Sequence, residues 1–182
     1  MRHLVVGGTA ILTYPADVVQ PSTVSVSSAG PEDFDRIADL TVQVYVGGGL
    51  ASERYAAALA DVAGRAERAE LLVARDEDGR VVGSVALVLA GDFGNVTASD
   101  DEAAFRMLVV DPAAQGRGIG ELLVLTCLDR ARAAGKRRMV LSTDVRMAAA
   151  QRLYRRLGFT RLPDRDWNPE PGIDLIVYAR DL

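Results

Sequence analysis

The chain contains one cysteine, Cys127, and one histidine, His3. A lone cysteine forbids a disulfide within the chain and fits a reducing compartment. Together the two residues leave no set for a Cys/His zinc site, a Ser-His-Asp triad or a Cys-His dyad. Basic residues are not in excess: the formal net charge is -4, which gives no footprint for nucleic acid or an anionic membrane. A mild acidic excess suits a cationic substrate without identifying one. No apolar run reaches the roughly 18–20 residues of a membrane-spanning helix. The opening MRHLVVGGTAIL is interrupted by Gly7 and Gly8, and no clear small-residue cleavage site follows. The expected setting is cytoplasmic, with no metal. Any chemistry falls to carboxylates, tyrosine, lysine or the main chain.

What is present is the composition of a globular protein. With 182 residues, 49% hydrophobic and 25% charged, the chain is long enough for one domain with a substantial core. Residues 1–22 fit no element cleanly. LVVGGTA reads as a strand and turn, but prolines at 15 and 21 follow, so an N-terminal extension, loose or strand-like, is expected there. Gly7-Gly8 suggests a nucleotide-binding turn, but the dinucleotide fingerprint needs three spaced glycines leading into a helix. The domain proper spans 23–182.

From Thr23 the pattern sharpens. TVSVS alternates as a strand, and Gly30-Pro31-Glu32-Asp33 starts a helix with proline and acids in its first turn. Phe34, Ile37, Ala38 and Thr41 then share one face, and GGGL at 47–50 ends the helix. Ser52–Ala69 predicts a second helix. Leu71–Ala90 reads as a hairpin turning at Asp76-Glu77-Asp78-Gly79, and a polar loop over 91–101 follows. A strand over Phe105–Val110 leads to a helix over Gly120–Ala134, closed by Gly135. Met139–Thr143 is a buried strand, and Ala148–Leu157 a helix closed by Gly158. Two strands, from Phe159 onward and over Ile173–Ala179, complete the chain. The order β-α-α-β-β-β-α-β-α-β-β is that of an α/β or α+β domain built on one mixed sheet.

The segment VVDPAAQGRGIGELLV, Val109–Val124, places Gly116, Gly118 and Gly120 where strand becomes helix. Glycine in a regular element costs about 0.5–1 kcal/mol relative to alanine. A helix N-terminus leaves unpaired N–H groups and carries partial positive charge, and glycines let an anion approach that backbone. No Gly-Lys-Ser/Thr follows, so this is not a mononucleotide P-loop. A tight turn with glycines for packing is the alternative that the spacing alone leaves, less favoured than an anion site.

QGRGIG, Gln115–Gly120, resembles the Q/R-x-x-G-x-G/A signature of the GNAT superfamily of acyl-CoA N-acyltransferases. MLVVDP before it and AQRLYRRLGF after the next strand stand in the family's order, and the element order from Thr23 to Leu182 matches as well. FRMLVVDPAAQGRGIG and LSTDVRMAAAQRLYRRLGF further resemble actinobacterial members of the superfamily. The resemblance implies a mixed, mostly antiparallel sheet of six to seven strands flanked by about four helices. It implies acetyl-CoA as co-substrate, its pantetheine arm along Leu108, Val109 and Val110. Its pyrophosphate would rest on the peptide groups of Gln115, Gly116, Arg117, Gly118, Ile119 and Gly120, with a further contact from the Arg117 side chain.

Tyr154, in LYRRLGF, matches the tyrosine that protonates the leaving thiolate in the family; by itself it reads rather as a core tyrosine with its hydroxyl bonded elsewhere. The oxyanion would meet backbone N–H near Val109 or Val110. Two positions depart from the family. Met147 stands where many relatives have asparagine, and Ala104 where many have an acid. Glu102, on the same strand face as Ala104, is then the nearest candidate base. Trp167 stands in the C-terminal hairpin that walls the acceptor cleft in the family, and core packing accounts for it as well. Lys136-Arg137-Arg138, Asp100 and Asp101 read as surface charge, and Cys127 as a small core residue.

The expected function is acetyl-CoA-dependent N-acetyl transfer to a primary amine, small-molecule or peptide, by direct transfer in a ternary complex. The alternative is an acyl-CoA-binding sensor or scaffold with little turnover, which Ala104 and Met147 favour. A homodimer stays open.

Overall fold

A computed structural model of the chain describes residues 5–6, 10–11, 24–91, 96–169 and 172–182. Strands β1 (Ser25–Ser28), β2 (Glu70–Arg75), β3 (Val81–Val88), β4 (Glu102–Val110), β5 (Arg138–Asp144), β6 (Thr160–Arg161) and β7 (Leu175–Asp181) form one seven-stranded sheet in the order β1-β2-β3-β4-β5-β7-β6. Every neighbouring pair is antiparallel except β4 with β5. This is the mixed sheet that the element order predicts, with the mostly antiparallel pairing that the resemblance implies.

Helices α1 (Phe34–Tyr45), α2 (Ala56–Ala60), α3 (Val62–Ala66), α4 (Ile119–Ala133) and α5 (Ala148–Arg156) pack on it. The alternation of β2 sorts its residues between two layers. Leu72 and Ala74 join α4 residues such as Leu123, Cys127 and Leu128 on one face. Leu71 and Val73 join Ile37 and Leu40 of α1 on the other. With both faces covered, β3 is buried at all eight positions, which is why VVGSVALV carries no charge. A Cβ on Gly83 would lie 3.0 Å from Ile119 and 3.1 Å from Leu123, so the bare backbone there lets the start of α4 seat against β3.

Four boundaries differ from expectation. The helix predicted over Ser52–Ala69 is broken at Asp61, whose ψ of 73° is not helical and whose side chain caps α3 by accepting from Gly64 N. β4 starts at Glu102 rather than Phe105, because Glu102–Ala104 pair in parallel with Arg138–Val140. β7 starts at Leu175, and the strand from Phe159 shrinks to Thr160–Arg161. In the N-terminal segment, Val5–Val6 pair antiparallel with Ala10–Ile11; His3 and Gly7-Gly8 lie outside the described residues. Among the described residues no helix is long and apolar enough to cross a membrane.

Candidate functional site

The site begins with a divergence of two strands. β4 pairs with β5 only through its first three residues, Glu102–Ala104. On its other edge its register with β3 shifts between Ser84 and Ala86, opposite Met107, a non-glycine residue with φ of 50°. Such a conformation costs of order 1–3 kcal/mol and persists only where the surroundings impose it. Beyond Ala104 the two parallel strands part. A cavity of about 280 Å³ fills the gap, lined by Phe105–Leu108 on one side and Ser142–Asp144 on the other. Leu108 thus faces the cavity, whereas Val109 and Val110 continue as strand, pairing with Ser84 and Gly83.

The glycine turn stands at the end of the diverging strand. Asp111 caps it by accepting from Ala113 N at 2.9 Å, and its other oxygen takes a 2.5 Å bond from Arg36 of α1. Gly116 and Gly118 both have φ of 77°, the left-handed region that favours glycine. Gly120 is different: its φ is ordinary, and a Cβ there would make normal contacts, 3.6 Å to Leu153 and 3.7 Å to Val110. Of the three glycines, then, two are set by backbone conformation and the third is not.

Among the described residues, the N–H groups of Gly116, Arg117 and Gly118 donate to no protein acceptor, and those of Ile119 and Gly120 open a fifteen-residue helix. Gln115 departs from expectation, since its N–H turns inward to Pro112 O at 3.5 Å. The Arg117 side chain is exposed. Glu121, an acid in the first turn of α4, is paired with Arg156 at 2.5 Å, so it presents a neutralised charge. A row of donors without an acceptor among the described residues, with partial positive charge and no Cβ at two points, fits a diphosphate.

Tyr154 projects from α5 into the same cavity. Its ring packs among Phe105, Phe159 and Tyr178 with centroids 5.8–6.2 Å apart. Burial pushes its phenol well above the usual tyrosine range, with smaller contributions from Tyr45 and Cys127. Its hydroxyl makes no hydrogen bond to another described residue. Tyr45, at the end of α1, lines the cavity too, and burial pushes it up to about 12 against the opposing charges of Arg106 and Arg65.

Glu102 is not brought to this site. It is 7% exposed and lies outside the cavity lining. Its carboxylate accepts two bonds from Arg165 (2.9 and 3.0 Å) and one from Ala98 N (2.8 Å). Burial works against its charge, but the bonds from Arg165 and Ala98 outweigh it and hold the carboxyl below the usual range. The structure thus commits the carboxylate expected as base to Arg165 and to the Ala98 N–H, away from the cavity. Ala104 is buried among Val88, Val140 and Val177, so its strand position faces a packed layer. Met147 does line the cavity, with Thr143 Oγ1 3.6 Å from its sulfur.

Trp167 lines the cavity and pairs with Leu175 in an isolated bridge, and its Nε1 is buried without an acceptor among the described residues. Asp166 beside it is occupied by Arg161, at 2.8 and 2.6 Å. Arg137 and Arg138 pair with Asp101 and Asp181 at the surface, and Cys127 is fully buried in the core. Sequence reasoning missed Arg106, Tyr45 and the Asp144–Arg146 pair. Arg106 had a readable signal, a single cation inside the apolar strand FRMLVV.

Known proteins resemble the chain in sequence and in fold. The profile of the acetyltransferase (GNAT) family matches residues 35–159. The mycothiol acetyltransferase of Streptosporangium roseum is 50% identical over 52 residues, 29% of this chain and 15% of that protein. The IAA acetyltransferase of Azospirillum brasilense is 37% identical over 103 residues, 55% of this chain and 61% of that protein. The chain thus spans less than two thirds of these curated relatives. The structure of yncA from Salmonella typhimurium, solved with its cofactor acetyl-CoA, superposes with a TM-score of 0.66 at 23% identity, covering 88% of this chain and 95% of that one.

Proposed function

Because the chain belongs to the acetyltransferase (GNAT) family, we propose that it catalyses acetyl-CoA-dependent acetylation of a primary amine. Residues 23–182 would act as one catalytic unit in a reducing, cytoplasmic setting where Cys127 stays a thiol. The observation that carries the reading is the row of N–H groups from Gly116 to Gly120 without an acceptor among the described residues, at the end of the strand that lines a cleft containing a tyrosine.

Acetyl-CoA supplies an activated acyl group: in the net transfer a C–N bond replaces the thioester C–S bond, and one proton passes from nitrogen to sulfur. The chain's part is to bind, orient and move that proton. The turn from Gly116 to Gly120 holds the diphosphate through main-chain donors, helped by the start of α4. The open edge of β4 at Leu108 receives the pantetheine amides as an added strand would, with Val109 and Val110 continuing that line.

Tyr154 gives its phenolic proton to the departing sulfur. A thiol of ordinary pKa, about 8.5, is a stronger acid than this phenol, so the transfer is uphill to the free thiolate. A hydrogen bond from the phenol stabilises the charge growing on sulfur as the C–S bond breaks. The proton reaches sulfur as the amine nitrogen gives up its own to the phenol oxygen, and a positioned acid of this kind typically contributes 10²–10⁴ in rate. Proton loss from the amine needs no dedicated carboxylate. An apolar cleft disfavours the ammonium form, and the acid that lines it, Asp144, is bound by Arg146 at 2.8 and 2.7 Å.

The lack of an uncommitted carboxylate among the described lining residues also favours a second reading, an acyl-CoA sensor with little turnover. Thiol release measured across a panel of amines separates the two. Release with any amine supports the enzyme, whereas acetyl-CoA binding without release on any of them supports the sensor.

A further inference from the structure

The turn that offers donors to an anion is bracketed by acids. From Asp111 to Glu121 the sequence carries two carboxylates, one at each end, and a single cation, Arg117. Both acids serve the fold. Asp111 caps the short helical turn Pro112–Ala114 through the N–H of Ala113 at 2.9 Å, and its carbonyl accepts from Ala114 N at 2.8 Å. Glu121 stands in the first turn of α4, where a negative charge offsets the positive end of the helix dipole. Neither suits a diphosphate, because each sets a negative charge beside the backbone that would receive one.

Each acid is answered by an arginine from a different helix. Arg36 of α1 donates to Asp111 at 2.5 Å, and its Nε donates to Val81 O at 3.2 Å. That second bond anchors the guanidinium at the start of β3. Val82 O in turn accepts from Asp111 N at 2.8 Å, so Arg36 closes the junction of β3 with the end of β4. Arg156 of α5 donates to Glu121 at 2.5 Å. One turn earlier on α5, Leu153 lies 3.6 Å from where a Cβ on Gly120 would stand, so α5 seats against the same turn. The side chains of Arg36 and Arg156 are 42% and 61% exposed. Ion pairs so open to solvent add little to stability, and a role in folding alone accounts poorly for finding both acids paired.

Resting on the acetyltransferase reading above, we propose that Arg36 and Arg156 are positioning residues for the diphosphate of acetyl-CoA, acting by neutralising Asp111 and Glu121 rather than by touching the ligand. The fold uses both acids at the turn, and the ligand needs the turn free of their charge. The two ion pairs meet both demands. With its arginine removed, either acid keeps its place in the turn but repels the diphosphate. Removing the acid's charge as well then restores binding, which a loss of shape would not allow.

The test is calorimetric titration of acetyl-CoA into the purified full chain and its variants, with circular dichroism to show that each is folded. Arg36→Gln and Arg156→Gln are each expected to weaken binding about fivefold or more at low salt. Arg36→Lys, which keeps the charge, stays within about twofold of the unaltered protein. Asp111→Asn added to Arg36→Gln, and Glu121→Gln added to Arg156→Gln, return the affinity to within about twofold. Raising sodium chloride from about 0.05 M to about 0.5 M narrows the gap between each single variant and the unaltered protein, because the Debye length falls about threefold. Single variants that bind as tightly as the unaltered protein, a loss that the second substitution leaves in place, or a gap that salt does not narrow each overturns the proposal. Should Arg36→Gln fail to fold, the variants of the more exposed Arg156–Glu121 pair decide. An unaltered protein that does not bind acetyl-CoA overturns the acetyltransferase reading itself, which keeps the two failures apart.

Discussion

The guanidinium of Arg146 donates to the carbonyl oxygen of Gly49 at 3.0 Å, tying the loop after α1 to the end of β5. The same side chain holds Asp144 in a two-pronged ion pair and reaches Leu50 O at 3.4 Å. Leu50 and Asp144 both line the cleft, so one residue fixes the distance between two of its walls. Arg146→Met removes that tie. Charged hydrogen bonds worth about 1 kcal/mol to the closed loop correspond to an acceptor KM raised about fivefold. Steady-state kinetics should show that rise with the acetyl-CoA dissociation constant unchanged.

Tyr154→Phe should lower kcat by about 10²-fold or more and leave acetyl-CoA affinity as it was. The pH profile carries the sign of the shift. A phenol whose pKa is raised by burial stays protonated past the ordinary value of 10.0, so kcat should show no fall attributable to this group up to about pH 10. A descending limb near pH 8 that disappears in Tyr154→Phe would point to a phenol far more acidic than its surroundings imply.

Glu102 and Arg165 make a prediction about stability rather than rate. A carboxyl held below its usual value contributes stability that is fully present above the unfolded value of about 4.5 and is lost as pH falls through the folded one. Glu102→Gln should destabilise at pH 7 by about 1–3 kcal/mol, the cost of leaving the partners of a buried charged group unsatisfied. The deficit should shrink toward pH 4. Chemical denaturation at the two pH values measures it, and kcat should change by less than twofold.

Gly83 predicts a packing effect at a distance from the chemistry. Valine there would drive a side chain into Ile119 and Leu123, already 3.0 and 3.1 Å from where a Cβ would stand. Overpacking of this kind costs typically 1–3 kcal/mol. Because the displaced element is the start of α4, thermal denaturation should show the loss together with weaker acetyl-CoA binding.

How much of this was legible beforehand follows the range of the interactions. The β4–turn–α4–β5 unit was readable because its punctuation is local: Asp-Pro, left-handed glycines and periodic apolar residues each act within a few positions. The burial of β3 was readable from its unbroken apolar run. The commitments of Glu102 and Arg146 were not, since their partners stand 63 and 97 residues away and leave no periodic trace. Arg106 was visible as a cation in an apolar strand, but its place in the cleft depends on where β4 parts from β5. That parting is set by register, which no single residue type announces. The break at Asp61 was missed because an alanine-rich run carries high helix propensity, while the capping bond from Gly64 N ends one helix and starts another.

The central claim is that main-chain donors over Gly116–Gly120 grip the diphosphate of the acyl donor, and Gly118 is where it is most exposed to test. Its φ of 77° admits valine only with strain, and the branched side chain would stand among those donors. Calorimetric titration of acetyl-CoA into the unaltered protein and into Gly118→Val is the direct measurement, with circular dichroism to show that both are folded. The account predicts saturable one-to-one binding in the first and a loss of at least about 100-fold, some 2.7 kcal/mol, in the second. Equal affinity in the two folded proteins would contradict it.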